Sequence, residues 1–353
     1  MIRYLAPPPR RPEGLVAAVF DQMRREFGIL AEPLILHHPI PSLLAVTWVC
    51  LRETVLAHGR LPRALKEAVA LAVSRANACP YCVDSHGIFL HALGEGGVER
   101  RLIAGEDPED ERLAAFATWA ASSSTSGPLA APFTPEERPE AMGTLCCFQY
   151  INRLATPLLG SSPLPAPVRW LRGPAVWMVG RALRDAASRA PAPGEALELV
   201  PERLSRDAGR WEHLGWADGQ PHIAAAFAVF AEATEAAAGP GLSAEGRAVI
   251  REELARSRGA EPPLGREWLE ARVEALGQEE RPGVRLGLLV ARAPHRVTGP
   301  DVEAFRQIHP GDAPLLGVLA WSAHEAAKEI STRCQGLAGE PVASQPRSAS
   351  HAT

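Results

Sequence analysis

The chain has 353 residues, of which 46% are hydrophobic and 22% charged, and its formal net charge is -4. That length is long for one domain and comfortable for two, with ample apolar material for a packed core. The arginines are scattered among acids with no basic block, which argues against nucleic acid as a partner. Six cysteines in so long a chain are too few for a disulfide scaffold.

The N-terminal stretch MIRYLAPPPRRPEG meets proline after six residues and holds no apolar run of the signal-peptide kind. The expected location is therefore cytoplasmic. The stretch WLRGPAVWMVGRAL is broken by arginines and glycines and is too short to span a bilayer, so no membrane association is expected. Alternating Val/Ile/Thr runs are nearly absent, while Ala, Leu, Arg and Glu recur at helical spacing. In chain order the pattern predicts helices over 12–27, 40–57, 62–76, 80–93, 109–122 and 135–154. A second series follows over 223–238, 244–257, 266–276, 284–291, 299–307 and 314–334. Several open with proline just inside the start, and the fold class is all-α. The breaker-rich run LGSSPLPAPVRWLRGP separates the halves. The expected organisation is a first unit at 1–158, a Pro/Gly-rich linker at 159–195, a second unit at 196–336 and a disordered tail at 337–353.

The halves resemble each other. From Glu111 to Arg153, and again from Val284 to Ile330, the sequence gives Arg-Leu with an apolar helix, then Thr-(Pro/Gly)-x-(Glu/Asp), then a long Ala/Leu-rich helix. Upstream, aligning Leu61 with Leu242 gives an offset of 181 residues. This predicts an internal duplication of one helical unit.

The chemistry concentrates in CPYCVDSH, Cys79 to His86. A helix ending near Asn77 and a new one opening with Cys79 at the N-cap and Pro80 at N1 put both cysteines in or beside a first helical turn. There the free amides and the macrodipole favour a thiolate. Spacing i, i+3 permits a disulfide between Cys79 and Cys82, and spacing i, i+4 stacks Cys82 and His86 on one face. Three other readings compete. Zinc needs four ligands, and Cys50, Cys146, Cys147 and Cys334 supply no second CxxC. A c-type haem fails because Val83 follows Cys82, and a thioredoxin-like site lacks its βαβ context. Two inert core cysteines are the plain alternative.

The run LPRALKEAVALAVSRANACPYCVDSHGIFLHALG resembles the core of the alkylhydroperoxidase AhpD / carboxymuconolactone decarboxylase superfamily. The AhpD-like pattern, a glutamate twelve residues before a CxxC and a histidine four after it, is matched by Glu67, Cys79, Cys82 and His86. FTPEERPEAMGTLCCFQYINR is similar to the helix pair that follows the motif. The resemblance covers residues 12–155 well and 200–334 as a degenerate copy. There Ala248, Ala260, Pro263 and Glu267 stand opposite the four motif residues, so the second copy is expected to serve packing alone. Pro80 and Tyr81 fill the places where relatives carry a histidine between the cysteines.

The resemblance implies an AhpD-like helical bundle and a thiol peroxidase in antioxidant defence, without bound cofactor or metal. It implies that Cys82 attacks the peroxide and becomes a sulfenic acid, and that Cys79 resolves it to a disulfide. His86 would activate Cys82, with Glu67 orienting His86 or relaying its proton. Without that role, Glu67 is an ordinary solvated helix glutamate. A lipoyl group or similar dithiol donor protein would reduce the disulfide, since no flavin or nicotinamide fingerprint is present. Self-association into a homo-oligomer is compatible with the pattern. Two alternatives stay open: a carboxymuconolactone-decarboxylase-like enzyme, and a non-enzymatic redox-sensing helical protein.

Overall fold

The computed structural model describes residues 2–164, 172–239 and 241–335, and among them the regular structure is entirely helical. The first half comprises α1 (Gly14–Glu26), α2 (Glu32–Ile35), α3 (Pro41–Leu51), α4 (Arg63–Ala76), α5 (Pro80–Ala92), α6 (Gly96–Ala104), α7 (Glu111–Ser122) and α8 (Arg138–Leu158). Then come α9 (Arg172–Ala187), α10 (Pro221–Ala237), α11 (Ala244–Ser257), α12 (Glu267–Val273), α13 (Arg281–Arg292), α14 (Gly299–Ile308) and α15 (Asp312–Gln335). Helices α3, α5, α8, α10 and α13 carry proline in their first turn, where the missing amide costs no hydrogen bond.

The repeat read from the sequence has a structural counterpart. Helices α4 and α11 are each 14 residues long and begin 181 residues apart. Helices α7 and α13 are each 12 residues long. Ahead of the long helices the same cap recurs: the Thr134 amide donates to Glu137 (3.1 Å) and the Thr298 amide to Asp301 (2.9 Å). Helices α8 and α15 pack on each other, as do α3 and α10, so the halves share one apolar core running from Leu5 to Cys334. Helix α3 is buried from Leu43 to Leu51, in keeping with its unbroken apolar run.

Two departures from the sequence reading matter for the site. The stretch expected to be a linker at 159–195 contains α9, which packs along α5. The close approach falls at Gly180, where a Cβ would lie 3.2 Å from the Ile88 carbonyl and 3.3 Å from the Ala92 nitrogen. Helix α3 continues through a π-helical turn, Arg52–Leu56, instead of a regular α-helix to residue 57. That turn buries Arg52, which bonds Glu26 (2.8 Å), Glu53 (2.7 Å) and Glu195 (2.9 Å) and so pins the chain after α9. The tail expected to be disordered lies outside the described residues.

Helix α4 is fixed to α8 by a buried ion pair. Lys66 Nζ lies 2.6 Å from Glu140, whose carboxylate also accepts from the amides of Arg60 (2.7 Å) and Leu61 (3.2 Å) and from Gln220 (3.1 Å). Breaking such a pair from one side strands a buried charge. Glu140→Ala is accordingly expected to lower unfolding free energy by about 3–5 kcal/mol in urea titration, while the double change with Lys66→Met recovers part of it. An equal loss in single and double variants would contradict this account.

Candidate active site

The chain reverses between α4 and α5 in three residues. Asn77 caps α4, Ala78 takes a left-handed φ of 49°, and the Cys79 amide bonds back to the Ser74 carbonyl at 2.9 Å. This tight reversal brings α5 alongside α4, so a glutamate in mid α4 meets a histidine on the second turn of α5. His86 Nδ1 lies 2.6 Å from Glu67 Oε2. The other carboxylate oxygen accepts from Arg63 Nε at 2.7 Å, one turn earlier on α4. Glu67 is 1% exposed, so it is no solvated surface glutamate. Burial opposes its ionisation, but Arg63 and then His86 outweigh that and hold its carboxyl below the usual carboxylate range. An ionised carboxylate only accepts, so the proton between the two sits on Nδ1, and an imidazole whose single proton is held there offers Nε2 as an acceptor. The ring is packed edge-on against Phe148 of α8, with centroids 4.3 Å apart.

Cys79 is the N-cap of α5 with Pro80 following, as expected, and both cysteines are free and buried. They are not isolated in hydrocarbon: each thiol is close enough to the other to shift its ionisation. Burial disfavours the Cys79 thiolate, yet the Cys82 thiol, the backbone amides of Cys82 and Tyr81 and the Thr156 hydroxyl together hold its pKa below the ordinary value. The Thr156 hydroxyl also lies 2.8 Å from the Asn152 carbonyl, and its single proton serves one acceptor at a time. Cys82 shifts the other way. Burial first, then the shared proton and the charge on Cys79, push its thiol well above the ordinary value. Of the two thiols, Cys79 is the one whose surroundings favour loss of the proton and Cys82 the one whose surroundings favour keeping it.

Access reverses that ranking. A cavity of about 590 Å³ is lined by Cys82, Ser85, His86 and Phe89 from α5, with Phe148 and Ile151 from α8, and Cys79 is not among its walls. Val179 and Leu183 of α9, with Ser162 to Leu164, close another side. Ser162 is tied to α5 by a 2.5 Å hydrogen bond to Asp84. The walls are mainly apolar. Their polar exceptions include Tyr81, whose hydroxyl bonds Glu32; burial and that carboxylate push the phenol pKa up.

Comparison with known proteins bears on this arrangement. Residues 43–127 match the carboxymuconolactone decarboxylase family. The chain is 37% identical over 329 residues to an alkyl hydroperoxide reductase of Mycobacterium tuberculosis, covering 92% of both. The chain belongs to the alkylhydroperoxidase AhpD / carboxymuconolactone decarboxylase superfamily. Within this AhpD-like chain, the four residues singled out from the motif lie together, Glu67 on His86 and Cys79 on Cys82. Three contributors escaped the sequence reading. Arg63 had a visible signal, its i, i+4 spacing to Glu67. Thr156 and the α9 wall had none, because both reach the site through tertiary packing. Ser74 and Asn77 are hydrogen bonders near the end of α4: Ser74 bonds the Ala70 carbonyl (2.6 Å) and Asn77 bonds Gln149 (2.9 Å). Among the described residues no helix is long and apolar enough to cross a membrane.

Proposed function

We propose that this AhpD-like protein is a thiol peroxidase that reduces organic hydroperoxides through a Cys79–Cys82 dithiol–disulfide cycle. The observation that carries the reading is the row of Cys82, Ser85 and His86 along one wall of an apolar cavity, with the second thiol close to Cys82. Attack begins with loss of the Cys82 proton, taken by Cys79 or by Nε2 of His86. The Cys82 thiolate then attacks the distal peroxide oxygen and displaces the alkoxide: an S–O bond forms, the O–O bond breaks, and the alkoxide leaves with the transferred proton as an alcohol. Cys79 next attacks the sulfenic acid: the S–S bond forms, the S–O bond breaks, and the hydroxide leaves as water with the Cys79 thiol proton or, where Cys79 attacks as a thiolate, with one from solvent. Glu67 holds the imidazole in the tautomer that accepts at Nε2. The oxidised pair is reset by an external dithiol, a lipoyl group or similar donor protein, which is itself oxidised to a disulfide. The chain works in the cytoplasm without a bound cofactor.

One experiment tests the reading. Reduced protein is mixed with one equivalent of cumene hydroperoxide, and thiols are mapped by alkylation and mass spectrometry. Loss of two of the six thiols, joined as a Cys79–Cys82 disulfide, with turnover when dihydrolipoamide is added, is the expected result. Persistence of both thiols ends the proposal.

A further inference from the structure

The second half of the chain carries no CxxC of its own. A second cleft, about 380 Å³, lies between the halves and shares no residue with the cavity at Cys82. One side is the turn Ala76–Ala78 that leads into Cys79. The other includes Gly259, Ala260 and Pro262, which stand 181 residues after Ala78, Cys79 and Tyr81. Ala78 and Gly259 even share the left-handed conformation, with φ of 49° and 82°. The place of the missing second motif is therefore a wall of this cleft.

Its charge is lopsided. Arg153, Arg292, Arg296 and Arg333 line it against Glu261 and Glu329, and Glu329 is already paired to Arg333 at 2.9 Å. Arg292 bonds Glu253, but that one carboxylate also holds Arg256 (2.7 Å) and Arg272 (2.8 Å). Arg296 donates only to loop carbonyls of Pro262, Pro263 and Leu264. The decisive group is Arg153. It is 8% exposed, its Nε donates to the Ala291 carbonyl (3.1 Å), and its Nη1 donates to the backbone (2.7 Å) and side-chain (2.6 Å) oxygens of Gln149. Among the described residues no carboxylate lies within ion-pairing distance of it, and Nη2 has no partner. Burial, offset only in part by Glu329, lowers its pKa to about 10. Buried guanidinium groups are ordinarily paired, because an uncompensated charge in a poorly solvated site is costly. The rest of the lining is mixed: Asn77, Ser124, Ser257 and His295 are polar, while Leu254, Leu264 and Ile330 supply apolar surface.

We infer that this cleft binds a small organic anion, a carboxylate or phosphate head group on a short apolar body, with the head seated on Arg153 and Arg296 and the body against Leu254 and Ile330. Planar guanidinium groups suit both head groups. The proposal does not depend on the peroxidase reading.

Calorimetric titration of the reduced full chain with octanoate, octyl phosphate, inorganic phosphate and octanol tests it. At least one octyl anion is expected to bind saturably, weakening as salt rises, while octanol does not bind here; whichever anion binds names the head group. Arg153→Gln and Arg296→Gln are each expected to weaken that anion about tenfold or more, the loss of a charge-assisted contact. Arg296 bonds only loop carbonyls, so Arg296→Gln keeps the test valid even if Arg153→Gln fails to fold. Absence of saturable octyl-anion binding, unchanged affinity in the Arg296→Gln protein, or inorganic phosphate binding as tightly as octyl phosphate would overturn the inference.

Discussion

Cys82→Ser is expected to reduce peroxide turnover to the uncatalysed background, whereas Cys79→Ser is expected to consume one equivalent and stop. The difference follows from where the two sulfurs sit. Cys82 lines the cavity and Cys79 does not, so only Cys82 can reach a bound hydroperoxide without rearrangement of α5. The Cys79→Ser protein still forms the Cys82 sulfenic acid, but with no second thiol the acid persists. Mass spectrometry should then find one added oxygen on the peptide carrying Cys82. A further signature tests the electrostatics. Burial remains in this variant, but the neighbouring sulfur that helps push the Cys82 thiol up is gone. The pH profile for Cys82 alkylation should therefore move down relative to the reduced wild type. If Cys82→Ser instead performs the single turnover, the roles are exchanged and the charge on Cys79, not access, selects the nucleophile.

That conflict between charge and access also shows what a sequence can and cannot carry. The spacing from Glu67 to His86 was legible because both helices are short-range partners joined by a three-residue turn. Caps and prolines set the short turn between the helices, but the pairing of Glu67 with His86 was supplied by the resemblance to the family pattern. That a helix start favours a thiolate was legible as a property of one helix end, but which of the two cysteines gains more from it was not. What the cysteines face was not. The cavity is closed by α9, from a stretch so rich in breakers and arginines that its periodicity gave no helix, and by Phe148 and Ile151, which arrive from a helix begun more than fifty residues after Cys82. Thr156 likewise reaches Cys79 only through the packing of α8 against α4 and α5. The offset of 181 residues predicted the second α4-like helix to the residue. It did not reveal that four arginines gather beside Gly259 and Ala260, since they come from three different helices and the short 3-10 turn Pro294–Arg296.

Glu67→Gln is expected to impair peroxide reduction more than Glu67→Ala, although it is the smaller change. In the wild type one carboxylate oxygen takes Arg63 and the other takes His86 Nδ1. A glutamine has one oxygen, and the guanidinium can only donate, so that oxygen must face Arg63. Its amide NH2 then points at the imidazole and donates to Nδ1. The ring is driven into the tautomer with its proton on Nε2, the nitrogen needed to accept the Cys82 proton. General-base assistance of this kind is worth about 10²–10⁴ in rate, and a wrong-tautomer substitution can forfeit much of it. Alanine leaves Nδ1 free, so the ring can still adopt the accepting tautomer part of the time. Rates of cumene hydroperoxide consumption and of Cys82 alkylation at neutral pH measure the order directly. Glutamine at or above alanine would show that Glu67 does not act through the imidazole tautomer. Stability gives an independent check with a definite sign. The native carboxyl is held below its unfolded value, so its stabilising contribution is full above an unfolded pKa of about 4.3. It is lost as pH falls through the native value. The gap in unfolding free energy between wild type and Glu67→Gln should therefore narrow as pH is lowered through that window, and a gap that widened would place the shift in the opposite direction.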